Sequence, residues 1–261
     1  MKIGINFYRG GCFSDISVAD TIALMKDNGF EGTFLGNEGP EFHQIVEACQ
    51  QADIAVETIH APFNKINDMW LPGEAGEEML RRLTTAFEDA AAHNIPVVIV
   101  HMSSGFQPPI IGDVGNERFR RLMETADRLG VIPAIENQRL LANIALMFER
   151  YENARFCWDT GHENCFTPGR EYMPLFGDKL AALHIHDNQC EYNKDLHMLP
   201  YDGKVDFDKA ARQIAKSGFQ GSVMLEVMAR AECYAQLSGE EFYGRAAKSA
   251  RRLADAIDSY R

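Results

Sequence analysis

No paired-cysteine motif, no excess of positive charge, no membrane-length apolar run and no glycine-rich phosphate turn occur in this sequence, and each absence excludes a class of protein. The six cysteines, Cys12, Cys49, Cys157, Cys165, Cys190 and Cys233, are scattered and form no CxxC pair. A chain of 261 residues can bury a large core without disulfides or a structural metal. The cysteines therefore read as free thiols in a reducing compartment, Cys157 in the core and Cys190 close to the candidate site. The net charge of −12 argues against a protein that tracks a phosphate backbone or an anionic membrane, because both need a positive face. No apolar run approaches the roughly 20 residues of a membrane-spanning helix. The opening MKIGINFYRGG is too short and too interrupted for the apolar segment of a secretion signal. The expectation is a cytoplasmic protein with no nucleic-acid and no membrane partner. The first strand-to-helix turn, NFYRGGC, also lacks the phosphate-binding glycine pattern of an open doubly wound sheet.

What the sequence does hold is an alternation of short apolar runs and longer amphipathic segments. Strands are predicted at Ile3–Asn6, Gly32–Gly36, Ala55–His60, Pro96–His101, Ile132–Glu136, Arg155–Asp159, Leu180–His186 and Ser222–Val227. Helices are predicted at Val18–Asn28, Pro40–Ala52, Gly76–His93, Glu117–Leu129, Leu141–Tyr151, Met173–Phe176, Phe207–Lys216 and Glu240–Ser259. The run PVVIVH at 96–101 is continuous in valine and isoleucine, as a strand buried on both faces should be. Strict alternation implies parallel strands joined by crossover helices, and eight such units are what a closed barrel requires. With no composition break to mark a linker, the expected architecture is one α/β domain over residues 1–261, a (β/α)8 TIM barrel.

The residues able to hold a metal fall at one latitude of that barrel. His60, His101, His162, His184 and His186 end or directly follow a predicted strand, and His197 lies in the loop after the seventh. Glu136, Asp159 and Glu226 join them at the ends of strands five, six and eight. Barrel strands converge with their C-terminal ends on one mouth, where this architecture places its active sites. A lone histidine there is more often a hydrogen-bonded structural residue than a ligand. So many polar groups in one place, however, would be costly to bury unless they shared a cation or a tight hydrogen-bond network. Glu136, Asp159, His184 and Glu226 offer one nitrogen and three oxygens, a donor set suited to one divalent ion such as Mn, Zn, Co or Mg rather than to a closed structural zinc site.

Seven motifs carry a resemblance: HAPF at 60–63, VIVH ending at His101, AIEN at 134–137, DTGH at 159–162, HIHDN at 184–188, DLH at 195–197 and LEV at 225–227. In these motifs and their order the chain resembles the xylose-isomerase-like barrels. That superfamily includes sugar and sugar-phosphate isomerases, ketose 3-epimerases, inosose dehydratases and zinc-dependent apurinic endonucleases. The resemblance to the epimerases implies that Glu136, Asp159, His184 and Glu226 bind one metal. It further implies that Glu136 and Glu226 exchange protons with a small sugar-like substrate through a metal-stabilised enediolate, and that His162 contacts the substrate. The resemblance to the endonucleases implies further zinc ligands at His60, His101, His162, Asp195 and His197, hence more than one zinc. Sugar-active relatives use the HAP and VxH histidines for substrate contact instead.

Around the expected mouth, Phe7, Phe63 and Trp70 are candidates for an apolar wall against a sugar. His60, His101, His186 and Asn137 are candidate substrate contacts, and Lys204 and Arg230 would meet a substrate phosphate. The expected function is a metal-dependent isomerase or epimerase of a ketose or sugar phosphate. A dehydratase, a multinuclear zinc phosphodiesterase and a barrel that only senses a sugar remain open beside it. The closing amphipathic helix could cover a homo-oligomer interface.

Overall fold

Eight short apolar segments form the strands of a single parallel sheet that curls until its ends meet. In this computed structural model, which describes residues 1–13 and 15–261, they are β1 (Ile3–Asn6), β2 (Gly32–Gly36), β3 (Ala55–His60), β4 (Val97–Val100), β5 (Ile132–Glu136), β6 (Arg155–Asp159), β7 (Leu180–His184) and β8 (Val223–Leu225). From β1 to β7 each pairs in parallel with its sequence neighbour, and β8 pairs with β1. The circle closes through a bridge between Ile185 and Leu225, where the Ile185 N–H donates to Met224 and the Glu226 N–H donates to Ile185. The result is a single-domain (β/α)8 barrel. The side chains of Cys12 and Ala231 lie outside the described parts, so the expectation of a free thiol at Cys12 falls outside them too.

The crossovers are α1 (Val18–Asp27), α2 (Phe42–Gln51), α3 (Glu74–Ala92), α4 (Asp113–Leu129), α5 (Leu141–Arg150), α6 (Thr160–Phe166), α7 (Met173–Phe176), α8 (Phe207–Ser217), α9 (Ala231–Tyr234) and α10 (Gly239–Ser259). Their ends follow local chemistry. Ser17, Asp206 and Ser238 cap α1, α8 and α10 with side-chain oxygens, and Ser238 and Glu241 cap each other reciprocally. Two differences from the sequence reading matter for the site. Strand β7 stops at His184 rather than His186, and β8 stops at Leu225, so His186 and Glu226 sit on departing loops. Helix α6 was not anticipated: seven residues opening on TGH are too few to show a period.

Period two along each strand decides what faces the barrel axis. Val97, Ile99, Ala134, Cys157 and Ala182 pack together as a separate interior cluster, while Val98, Val100, Ile135, Phe156 and Leu183 join the outer core under the helices. Two residues further along the same inward stripes lie His101, Glu136, Asp159 and His184. The polar cluster is therefore the top layer of the barrel interior, supported by small apolar residues below it. No helix among the described residues is long and apolar enough to cross a membrane.

Candidate metal centre

Glu136 is the hub of the top layer. It is buried at the end of β5, with Oε2 at 2.6 Å from His101 Nε2 and 3.2 Å from His60 Nε2. Its Oε1 lies 3.2 Å from His162 Nδ1 and 3.3 Å from His184 Nδ1. Beside it, His184 Nδ1 is 3.2 Å from Glu226 Oε2. Helix α6 is capped by Asp159, whose Oδ1 accepts the His162 N–H, and His186 Nε2 lies 3.0 Å from that oxygen and 3.1 Å from Oδ2. On the loop after β7, Asp195 Oδ2 stands 3.0 Å from His197 Nε2 and 3.4 Å from His162 Nε2.

These residues form three adjoining donor sets: His60, His101 and Glu136; Glu136, Asp159, His184 and Glu226; and His162, His186, Asp195 and His197. Within each set the donor atoms lie within 4.8 Å of one another, close enough to converge on an ion. Hydrogen-bond satisfaction makes the same case independently. Among the described residues six buried side-chain nitrogen and oxygen atoms have no hydrogen-bond partner, and five belong here: His101 Nδ1, His184 Nε2, His186 Nδ1, Asp195 Oδ1 and Glu226 Oε2. Buried polar atoms are rarely left unpaired, and His186 Nδ1 and the two carboxylate oxygens are what a bound cation would relieve, whereas His101 Nδ1 and His184 Nε2 are the ring nitrogens turned away from Glu136. The donor set fits a divalent ion.

The supporting contacts fix ring orientation. His60 Nδ1 lies 2.8 Å from the Ala61 carbonyl and His197 Nδ1 2.9 Å from the Glu226 carbonyl, so in each ring Nε2 is the nitrogen turned to the acids. Phe34 stacks on the His184 ring and Phe166 on the His162 ring. Gly161 leaves room for His186: a Cβ there would fall 1.9 Å from the imidazole. Asp187 accepts the backbone N–H groups of Asn188, Tyr201, Gly203 and Val205, and so shapes the loop that carries Asp195 and His197.

Charge and burial oppose one another throughout. Burial pushes the Glu136 carboxyl up, yet the neighbouring His101 and His184 outweigh it and hold it well below the usual range. Glu226 and Asp195 are likewise lowered against burial, the first by His184 and the second by its bonds to His162 and His197. Asp159 goes the other way, raised because its complete burial outweighs His162 and His186. His197 is desolvated, but its bond to Asp195 and the nearby Glu226 carry it up to about 9, and His162 and His184 also rise. His101 is lowered by burial.

A cavity of about 380 Å³ opens above this layer, within the range of small-molecule sites. Seven of the residues expected at the site line it: His60, His101, Glu136, His162, Asp195, His197 and Glu226. Asp159 and His184 lie fully buried beneath them. Phe7 and Phe63 do form part of the wall, with Phe34 and Phe166.

Five expected substrate contacts lie outside the lining. Trp70 is buried in the loop after β3, where its indole N–H donates to the Met102 carbonyl and its ring packs on Phe119 and against Gly115. His186 is turned behind Asp159 and stacks on His197. Asn137 clasps β5 to β6, donating to the Asp159 carbonyl and accepting its N–H. Lys204 is exposed and only its backbone N–H is engaged, with Asn188. Arg230 donates to the Asp195 carbonyl and so braces a ligand loop. The lining residues that sequence reasoning missed include Gln138, Arg139 and Phe166. The first two lie two and three residues after Glu136, and that closeness is a signal in the sequence. Phe166 is reached only through α6.

Several solved structures share the architecture. An L-ribulose 3-epimerase superposes with a TM-score of 0.76 at 14% identity, covering 100% of this chain and 96% of its own. A 3-keto-D-glucoside 4-epimerase from E. coli gives 0.74 at 20% identity, with 98% and 99% covered. A D-tagatose 3-epimerase-like protein gives 0.72 at 17% identity, with 100% and 98% covered. At these identities the likeness shows the fold. An uncharacterized protein of Sinorhizobium fredii is 35% identical over 120 residues, 45% of this chain, and the match spans little more than a third of that relative, 37% of its length. The model of the xylose isomerase-like TIM barrel matches residues 19–257. By that match, which runs through every element of the ligand layer, the chain belongs to the xylose isomerase-like TIM barrel family.

Proposed function

We propose that this protein is a divalent-metal-dependent isomerase or epimerase of a small sugar-like carbonyl compound. The observation that carries the reading is the placement of Glu136 and Glu226 on either side of His184 Nδ1, at 3.3 and 3.2 Å, on the floor of a cavity walled by phenylalanines. The epimerase activities of its structural neighbours agree with it. Glu136, Asp159, His184 and Glu226 would hold the metal, which when bound would acidify the C–H between a carbonyl and an adjacent hydroxyl.

The two carboxylates are not equivalent. Glu136 is surrounded by four imidazoles and is the better fixed ligand, whereas Glu226 pairs with one of them, His184, and lines the cavity. Glu226 is therefore assigned as the base that takes the proton from one face, and Glu136 as the group that passes one from the raised His162, 3.2 Å away, to the other face, Glu226 losing its proton to water and His162 regaining one between turnovers. The phenylalanine walls cover the apolar face of the sugar and keep water from the reacting carbon.

A second reading has one specific observation in its favour. The three donor sets adjoin and two of them share Glu136, an arrangement able to hold more than one zinc and to activate water against a phosphoester. The acidic chain charge, and a cavity lined by a single Lys or Arg, weigh against DNA as that substrate.

The deciding experiment measures metal per chain on protein purified without chelator, then turnover on ketoses, ketose phosphates and abasic DNA. About one ion with ketose turnover supports the proposal. Two or three zinc ions with phosphoester cleavage and no ketose turnover would replace it by the second reading.

A further inference from the structure

The single Lys or Arg lining the mouth cavity is Arg139, three residues beyond Glu136 on the loop after β5. It is half-buried, and four elements hold it. Its guanidinium carbon lies 3.7 Å from the Phe166 ring centroid and 5.0 Å from that of Phe106. Nε and Nη2 both donate to Asn193 Oδ1, at 3.2 and 3.1 Å. Asn193 is itself tied down, its N–H donating to the Cys165 carbonyl, and the Arg139 carbonyl accepts from Arg170. One edge of the guanidinium is thus fixed and one face stacked. Among the described residues Nη1 has no hydrogen-bond partner and no carboxylate lies within ion-pairing distance. Arg118, by contrast, spends its guanidinium on Glu77 and on backbone carbonyls. Across the mouth the lining carries an acid, Glu38, paired with Arg82.

A preorganised, partly desolvated arginine with one open nitrogen favours an anionic oxygen over water. We infer that Arg139 forms an anion subsite, and that the substrate carries a carboxylate or phosphate on the end remote from its reacting carbon. The sugar part of this assignment rests on the isomerase reading, while the anion part does not. Arg139 would fix which way round the substrate lies, its charged end toward the Phe166 side and its hydroxyls toward Glu38. Lys204 and Arg230, expected from sequence to take a phosphate, lie outside the lining.

The test is calorimetric binding of three non-reacting probes, ribitol, ribitol 5-phosphate and ribonate, to the metal-loaded wild type and to Arg139→Gln and Arg139→Lys. At least one anionic probe is expected to bind more tightly than ribitol. R139Q should weaken that probe roughly 10- to 100-fold, as for a lost charge-assisted hydrogen bond, and change ribitol by less than about twofold. R139K, which keeps the charge, should fall between. Which anion responds separates phosphate from carboxylate. Equal losses for ribitol and the anions, equal losses in R139K and R139Q, or anions no tighter than ribitol would each overturn the subsite. If the anion dependence holds while no ketose or ketose phosphate is turned over, the isomerase reading fails and the subsite stands. Turnover of a neutral ketose unaffected by R139Q, with no anion preference in binding, gives the converse.

Discussion

The barrel has a cavity at each end, both of about 380 Å³, and they could hardly be lined more differently. The lower one, between the N-terminal ends of β3, β4, β7 and β8, holds a single acid, Glu57, which accepts from Ser222, among Ala55, Val97 and Ala182. Its one unpartnered buried polar atom is the Thr58 hydroxyl oxygen. The upper cavity carries four acids and four histidines, and with the layer beneath it holds the other five unpartnered atoms. Size does not mark a site; unsatisfied chemistry does. A pair of aspartates repeats the lesson at close range. Asp187 is saturated by four backbone N–H groups and shapes a loop, whereas Asp195, on that same loop, keeps an open oxygen and faces the cavity.

The largest expected effect strikes the upper end. Glu136→Gln removes the carboxylate shared by two donor sets and should lower kcat by about 10³-fold or more, with a measurable loss of bound metal. Glu226→Gln should lower kcat by about 10²- to 10⁴-fold while keeping more of the metal, and full turnover in both would break the contrast. Asp187→Ala strips an acceptor from four N–H groups and should cost about 2–4 kcal/mol in denaturant unfolding, with metal lost from the Asp195 and His197 side first. A pH series sharpens the comparison without mutation. In the metal-free protein His197 is raised to about 9, so its contribution to stability is complete below its unfolded pKa of about 6.5 and is lost as pH climbs through 9. Melting of chelator-treated protein should fall over that window by on the order of 3 kcal/mol at most, while metal affinity rises because the competing protons leave. The smallest effect belongs to the lower end. Glu57→Gln, at a carboxyl raised by burial, should shift stability by less than about 1 kcal/mol and leave metal content and turnover unchanged.

Much of this was legible in the residues. β1, β2, β3, β5 and β6 begin and end where the apolar pattern places them, because a strand buried on both faces has few alternatives. The height of the metal-capable residues was legible too, since the end of a strand is the end of its apolar run. What sequence could not supply was lateral reach. Trp70 lies at the right height, but Met102 from a different loop and Gly115 from α4 draw it into the core. His186 lies two residues beyond the observed end of β7 and turns behind Asp159. Phe166 and Arg139 become neighbours only because α6 brings the one beneath the other, and seven residues of helix leave no periodic trace.

The closing seam would give a bound metal a mechanical part to play. Among the described residues only the Ile185–Leu225 bridge and its two flanking backbone bonds join the ends of β7 and β8, and Glu226 and His184 stand on opposite banks of that join. An ion gripped by both would act as a rivet across the weakest stave of the barrel, slowing amide exchange at Ile185 and Glu226 more than anywhere on the opposite wall. A donor set laid across a seam would thus couple the circumference of the scaffold to the occupancy of its centre.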